Sequence, residues 1–184
     1  MTERTGAGPL RRLVVLRHAK SAWPEGVADH ERPLGPRGRR DAPEAGRVLA
    51  AGDLLPDLAL CSTAVRARHT WELASAQWGT SPPVRLDRAL YGADVPELLA
   101  AVRATPPEVM TLLLVGHNPG LEELVLTLAG DGLDDALEEV RVKFPTSAIA
   151  VLAFHGTSWR ALAPGTALLT SVLVPRGRKP SITD

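Results

Sequence analysis

Short apolar runs alternate with helical patterns along most of this chain, and that alternation constrains its fold more than any other feature. Strands are expected at residues 13–16, 58–61, 84–86, 112–115 and 148–154, with a last one at 159–162. Helical patterns fall between them, at 38–51, 67–78, 96–104 and 121–128. Such an order points to an α/β chain: a single-domain, three-layer α/β/α architecture whose mainly parallel sheet is covered by helices on both faces. The final strand pair, joined through Gly156-Thr157-Ser158 as a short hairpin turn, is expected to form an antiparallel edge.

A length of 184 residues suits one domain and is enough to bury most of its apolar surface. The domain is expected to span 12–174, between flexible, polar tails at 1–11 and 175–184. Lys plus Arg and Asp plus Glu stand at 21 each, so no bulk field favours nucleic acid or an anionic membrane, and neither is expected as a partner. Any positive potential has to be local. The lone cysteine, Cys61, cannot form an internal disulfide and reads as a small residue closing a buried strand rather than as a nucleophile. Residues 1–12 lack the apolar core of a signal peptide and no apolar run reaches bilayer-spanning length, so the expected location is cytoplasmic.

Two of the strands end in a histidine. The run at 13–16 gives way to Arg17-His18, and the run at 112–115 to Gly116-His117-Asn118-Pro119-Gly120. Ligands of an open parallel sheet bind beyond the carboxyl ends of its strands, so residues emitted there converge in one crevice. The strand at 58–61 leads in the same way to Arg66 at the start of a helix. These residue types suit phosphoryl transfer. A neutral imidazole with one protonated nitrogen and one free lone pair is a nucleophile toward phosphorus, and His18 is the candidate. Its tautomer would be fixed by a hydrogen bond from the other ring nitrogen to a nearby backbone carbonyl. Arg17 and Arg66 supply planar forks for phosphoryl oxygens, each charge-assisted contact contributing roughly 1.5–3 kcal/mol, and both disfavour protonation of His18. His117 would donate to a phosphoryl oxygen, and Asn118 would help to hold the anion. Lys20 and Ser21 lie close enough to His18 in sequence to touch the phosphate or its carrier; a solvated lysine and a turn-forming serine are their plain readings.

The motifs are specific as an ordered set. Arg17-His18-Ala19-Lys20-Ser21, the Asp-x-x-Arg-Pro-Leu-x-x-Arg-Gly of 29–38, the Ser-x-Ala-x-Arg-Ala-x-x-Thr of 62–70 and Gly116-His117-Asn118-Pro119 resemble the histidine phosphatase superfamily, in particular its small phosphohistidine phosphatase SixA-like branch. Phe144-Pro145-Thr146-Ser147-Ala148-Ile149-Ala150 looks like the late strand entry of that branch. The resemblance implies the same roles for Arg17, His18, Arg66 and His117, with transfer of the phosphoryl group to His18 followed by hydrolysis. Two departures stand out. Many members carry glycine after the nucleophile, where this chain has Ala19, whose methyl disfavours positive φ. Larger members place a glutamate before the third helix as general acid, and Arg88-Ala89-Leu90-Tyr91-Gly92-Ala93-Asp94 contains none. Asp29 and Asp94 are the candidate proton donors, with Glu25 and Glu122 as alternatives; Asp29 also reads as a turn residue, or as a partner of Arg37.

The remaining histidines have plain readings, His69 as packed or partly exposed and His30 and His155 as solvent-facing. Trp23 and Tyr91 either wall the pocket or cover the core. No two histidines stand at metal-ligand spacing, so no metal site and no cofactor are expected. The expected function is therefore a metal-independent phosphatase working through a phosphohistidine intermediate. A phosphorylated protein, bearing phosphohistidine, is the favoured substrate, because 84–104 and 130–143 leave little room for a lid around a small metabolite. A small phosphorylated molecule, turned over by a phosphomonoesterase or mutase relative, is the alternative. A non-catalytic phosphate- or phosphoprotein-binding module is the reading from a different class, and His18 argues against it, since binding needs the arginines but no nucleophile.

Overall fold

A computed structural model describes residues 8–179. In chain order the elements are β1 (Leu10–Arg17), α1 (Pro36–Ala51), β2 (Leu58–Ser62), α2 (Val65–Ser75), β3 (Val84–Asp87), α3 (Val95–Arg103), β4 (Thr111–Gly116), α4 (Gly120–Leu128), β5 (Ala129–Gly132), α5 (Ala136–Val142), β6 (Ile149–His155) and β7 (Ala167–Leu173). The strands form one sheet in the order β3-β2-β4-β1-β6-β7-β5. Pairing is parallel throughout except that β6 runs against both of its neighbours, β1 and β7. The antiparallel element at the end of the chain thus lies inside the sheet, with β7 and β5 continuing beyond it.

The uninterrupted apolar runs follow from burial on both faces. Along β1, Leu13 and Val15 enter one core with α3, α4 and α5, while Val14 and Leu16 enter the other with α1 and α2. In β4, Leu112 and Leu114 alternate with Leu113 and Val115 in the same way. Strands alternate their side chains across the sheet, so only a strand covered on both sides needs an apolar residue at every position. Each such leucine or valine contributes roughly 1.5–3 kcal/mol by leaving water. Edge strand β3, whose residues are all exposed, alternates instead.

Several boundaries differ from expectation. Residues 159–162 are not a strand: Trp159–Ala161 is a single 3-10 turn, and the partner of β6 is β7. Trp159 and Leu162 are buried three positions apart, the repeat of a 3-10 turn, which a short window cannot tell from alternation. Gly156 and Thr157 accordingly make no hairpin. Their carbonyls accept hydrogen bonds from Arg11 Nε at 2.9 Å and Arg11 Nη2 at 2.8 Å, while Val109 O accepts from Arg11 Nη1 at 2.6 Å. Leu10 and Arg11, assigned to a flexible tail, therefore belong to β1, with the Arg11 charge buried and satisfied by carbonyls. At the other end Arg176 and Gly177 are tied to α1 through Asp41, which corrects the same expectation for that part of the tail. Residues 1–7 and 180–184 lie outside the described residues. β5, α5 and β7 were not anticipated. No helix among the described residues is long and apolar enough to cross a membrane.

Candidate active site

The carboxyl ends of β1, β2 and β4, adjacent in the sheet, deliver Arg17-His18, Ser62 and Gly116-His117 to one edge, and α2 starts there with Arg66. They surround a cavity of about 230 Å³ lined by Arg17, His18, Lys20, Ser21, Trp23, Arg32, Arg66, His117, Asn118 and Thr146. Of the residues singled out from sequence, Arg17, His18, Lys20, Ser21, Arg66, His117 and Asn118 meet here and Trp23 walls the cavity, whereas the four candidate proton donors Glu25, Asp29, Asp94 and Glu122 do not line it.

His18 is buried, and its Nδ1 lies 2.7 Å from the Ala19 carbonyl. A carbonyl only accepts, so Nδ1 carries the ring proton and Nε2 keeps its lone pair. Arg66 Nε donates to that Nε2 at 3.3 Å. Burial, more than the neighbouring His117, Arg66 and Arg17, holds the His18 pKa down to about 3, against the opposing pull of the Ala19 bond. The imidazole is therefore neutral at physiological pH. Ala19 packs with Leu34 and Ala42 and does not take positive φ, so the residue following His18 needs no glycine here. Its N–H donates to Thr70 Oγ1 at 2.9 Å, and Thr70 Oγ1 donates to Arg66 O at 2.7 Å, which ties the His18 loop to the turn of α2 that carries Arg66. Gly38 lets α1 approach the same loop, since a Cβ there would sit 2.2 Å from Lys20 O.

Phe144 O accepts from both Arg17 Nη1 at 2.9 Å and Asn118 Nδ2 at 3.0 Å, and Glu122 also accepts from Asn118 Nδ2 at 3.0 Å. His117 Nε2 lies 2.7 Å from Ser62 Oγ, with the His18 and His117 ring centroids 5.1 Å apart. Burial first, then Arg66, lowers the His117 pKa to about 4, so this ring is neutral as well. Among the described residues, Arg17 Nε, His117 Nδ1 and Asn118 Oδ1 are buried without partners, and all three belong to cavity-lining side chains. Buried polar atoms are rarely left unpaired, and a cluster of them beside one cavity suits a multiply hydrogen-bonding ligand. Ser147 holds φ at 67° and donates its N–H to Arg17 O at 3.1 Å and His18 O at 3.2 Å, backbone strain of about 1–2 kcal/mol spent beside the site.

Asp29 sits behind Arg66. Its carboxylate accepts from Tyr91 Oη, from Arg32 Nη1 at 2.9 Å and from Arg66 Nη2 at 3.1 Å, and its backbone carbonyl accepts from Arg66 Nη1 at 2.6 Å. Tyr91 and Arg32 above all hold this carboxyl well below the usual carboxylate range, so it is ionised and has no proton to give. Asp94 is the N-cap of α3 in a reciprocal capping box, accepting from Glu97 N at 3.0 Å. Arg32, Thr146, Ser62, Thr70 and Ser147 were not singled out from sequence. Each nevertheless stood at a fixed motif position, Arg32 three residues after Asp29, Ser62 and Thr70 at the two ends of the 62–70 motif, and Thr146 and Ser147 within 144–150, but no role was read for them. The Arg32 guanidinium is buried, donates to Ser21 Oγ and to Ala22 O at 3.0 Å, and stacks on the 74% exposed Trp23 ring, 3.1 Å from the centroid. Tyr91 and His30 pack edge to face at 4.9 Å, and His30 Nε2 lies 2.9 Å from Thr63 Oγ1, so His30 is not simply solvent-facing. Burial pushes the Cys61 thiol up to about 12, which makes it inert. Among the described residues no group of three His, Cys, Asp or Glu side chains could hold a metal ion.

The sequence profile of the histidine phosphatase superfamily (branch 1) matches residues 13–165. The chain belongs to the histidine phosphatase superfamily. An uncharacterized protein of Mycobacterium tuberculosis is 45% identical over 163 residues, covering 88% of this chain and all of that one. A solved structure assigned as phosphohistidine phosphatase SixA of Nakamurella multipartitia is 36% identical, covers 92% of this chain and 99% of its own, and superposes with a TM-score of 0.81. A 2,3-bisphosphoglycerate-dependent phosphoglycerate mutase of Nitrobacter winogradskyi is 32% identical over 166 residues, 83% of this chain and 79% of that one. With the superfamily and the SixA-like neighbour in hand, the protein is a phosphatase, a hydrolase of phosphorylated substrates.

Proposed function

We propose that this phosphatase removes the phosphoryl group from phosphohistidine on another protein, by way of a phosphoryl intermediate on His18 and without a metal. One observation carries the substrate: the described residues lining the cavity include no carboxyl group, Glu122 stands behind Asn118 rather than in the lining, and the nearby Asp29 is ionised. Expelling an alkoxide from an aliphatic phosphate requires a proton in the transition state, whereas an imidazole leaving group already protonated on its other nitrogen departs neutral. A site without an acid suits the second. The exposed Trp23 and Lys20 at the mouth leave access for a side chain presented on a protein surface.

In the first step the Nε2 lone pair of His18 forms a bond to phosphorus as the bond from phosphorus to the substrate nitrogen breaks and its electron pair returns to the departing ring. Arg17 and Arg66 neutralise the phosphoryl oxygens. With the Ser62 hydroxyl donating to His117 Nε2, the His117 proton stands on Nδ1 as a further donor. In the second step water attacks phosphorus, the bond to His18 breaks with its electrons returning to Nε2, and inorganic phosphate leaves. Ala19 O holds the Nδ1 proton throughout, so His18 begins and ends neutral. Asp29 acts through Arg66, as a positioning residue.

A small phosphorylated metabolite is the second reading, favoured by the likeness to the phosphoglycerate mutase. Phosphate release from a phosphohistidine peptide and from an aliphatic phosphomonoester by one preparation decides between them. Faster cleavage of the peptide by kcat/KM supports the proposal, and equal or faster cleavage of the aliphatic ester overturns it.

A further inference from the structure

A second concavity, of about 480 Å³, lies between α1 and the segment after β7. Its walls carry Arg40, Arg47, Arg176 and Arg178, with Glu44 as the one carboxylate among its described lining residues. Glu44 is taken by Arg47, at 2.8 Å. Among the described residues neither Arg40 nor Arg178 has a carboxylate within ion-pair distance, and Arg40 Nε is buried without a hydrogen-bond partner. This wall is held in place. Asp41, 1% exposed, accepts from Arg176 Nη1 at 3.2 Å and from Gly177 N at 3.0 Å. Gly177 sits so close to α1 that a Cβ would lie 2.2 Å from Arg40 O.

Thr146 links this concavity to the catalytic cavity that it lines. Its carbonyl accepts from Arg176 Nη1 at 2.9 Å and its hydroxyl from Arg37 Nη2 at 3.0 Å. Arg37, Arg40 and Arg47 follow one another along α1 at helical spacing, with Glu44 between the last two. Arg37 is shared with Asp41 at 3.7 Å and Arg47 with Glu44, so among the described residues the row that leads from the catalytic rim into the second concavity has its unpaired charge at Arg40 and Arg178. In a chain with 21 basic and 21 acidic residues this is a local concentration of positive charge.

We propose that the row docks an acidic stretch of the phosphorylated protein, next to the histidine whose phosphoryl group enters the catalytic cavity. The proposal rests on the protein-phosphohistidine reading above and names the flanking chemistry of that substrate. Three features favour an acidic protein segment: guanidinium forks that match carboxylates, a row that starts at the catalytic rim, and neutral charge overall. At 1.5 Å per residue, the helix from Arg37 to Arg47 is about 15 Å long. An extended peptide covers that length in roughly five residues, so the acidic residues would occupy about five consecutive positions close to the phosphohistidine.

Two synthetic phosphohistidine peptides test this, one with glutamates at those positions on both sides and one with glutamines. At low salt the acidic peptide should have a KM lower by about five- to tenfold, a preference that shrinks as ionic strength rises. The Arg40→Ala/Arg178→Ala double variant should abolish the preference while leaving kcat/KM on p-nitrophenyl phosphate unchanged. Arg178→Ala alone, at an exposed position, should reduce it in part and keeps the test informative if the double variant folds poorly. Equal KM values for the two peptides, or a preference that survives both substitutions, would overturn the docking site. Fluorescence anisotropy with the unphosphorylated acidic peptide reads docking without turnover. Binding lost in the variants supports the site even if neither phosphopeptide is cleaved, an outcome that removes the substrate reading alone; no binding by the wild type overturns the site. A single-stranded oligodeoxynucleotide that binds these arginines more tightly than the acidic peptide would replace the protein partner with a nucleic acid.

Discussion

Replacing Asp29 by asparagine separates a carboxylate that orients Arg66 from one that donates a proton. Asparagine keeps one acceptor oxygen but sets an amide N–H2 against guanidinium donors, so either Arg32 or Arg66 loses its acceptor. The Asp29 side chain is 49% exposed, and screening limits each of its two arginine pairs to about 0.2–1 kcal/mol. The bond from Arg66 Nη1 to the Asp29 carbonyl, at 2.6 Å, survives because it belongs to the backbone. Removing the carboxylate charge weakens both pairs, and their combined loss of about 0.4–2 kcal/mol, if it is all felt in the transition state, lowers kcat/KM roughly 2- to 30-fold. Because the role is orientation, the same factor should apply to phosphohistidine, aryl and aliphatic phosphates. Steady-state phosphate release across such a leaving-group series, for wild type and Asp29→Asn, measures it. A loss confined to aliphatic substrates, with the alkaline limb of the pH profile removed, would refute the reasoning and make Asp29 the acid.

Other consequences are as direct. Asp94→Ala should cost about 0.5–2 kcal/mol of stability in urea denaturation, as loss of an N-cap does, with kcat unchanged. His18 and His117 bind protons more weakly folded, near 3 and 4, than unfolded, near 6.5. Their contribution to stability is thus intact above about pH 6.5 and falls as pH drops toward 3, by up to about 1.4 kcal/mol per unit per histidine. The kcat/KM profile should accordingly show no acid limb centred near 6.5, and an His18 imidazole seen by NMR to titrate there would contradict its burial. Arg66→Ala should abolish most vanadate inhibition, while EDTA leaves wild-type activity intact.

What the sequence revealed depended on burial. Leu13 to Leu16 and Leu112 to Leu114 stood out because both faces of their strands are covered, and the residues that follow such strands had only one edge to occupy. β5 is Ala-Gly-Asp-Gly, a composition with no strand preference, and exists through its pairing with β7. The seven-residue α5 buries only Ala136 and Val140, too little for a period to register. Arg11 looked like part of a polar tail because the three carbonyls that satisfy it come from 98 to 146 residues away. At the site, His18, Arg17, Arg66 and His117 were legible from strand ends and motif order. Asp29 was found but its state was not, since its ionisation depends on Tyr91, 62 residues away in sequence. Ser147 stood inside the 144–150 motif, but its positive φ was not legible, because strain is a property of φ and not of residue type.

The most direct test of the account is the site of phosphoryl transfer. Rapid quench of the enzyme during turnover of a ³²P-labelled substrate, followed by peptide mapping, should show acid-labile, base-stable label on His18 and none in His18→Ala. Label on another residue, or continued turnover by His18→Ala, would contradict it.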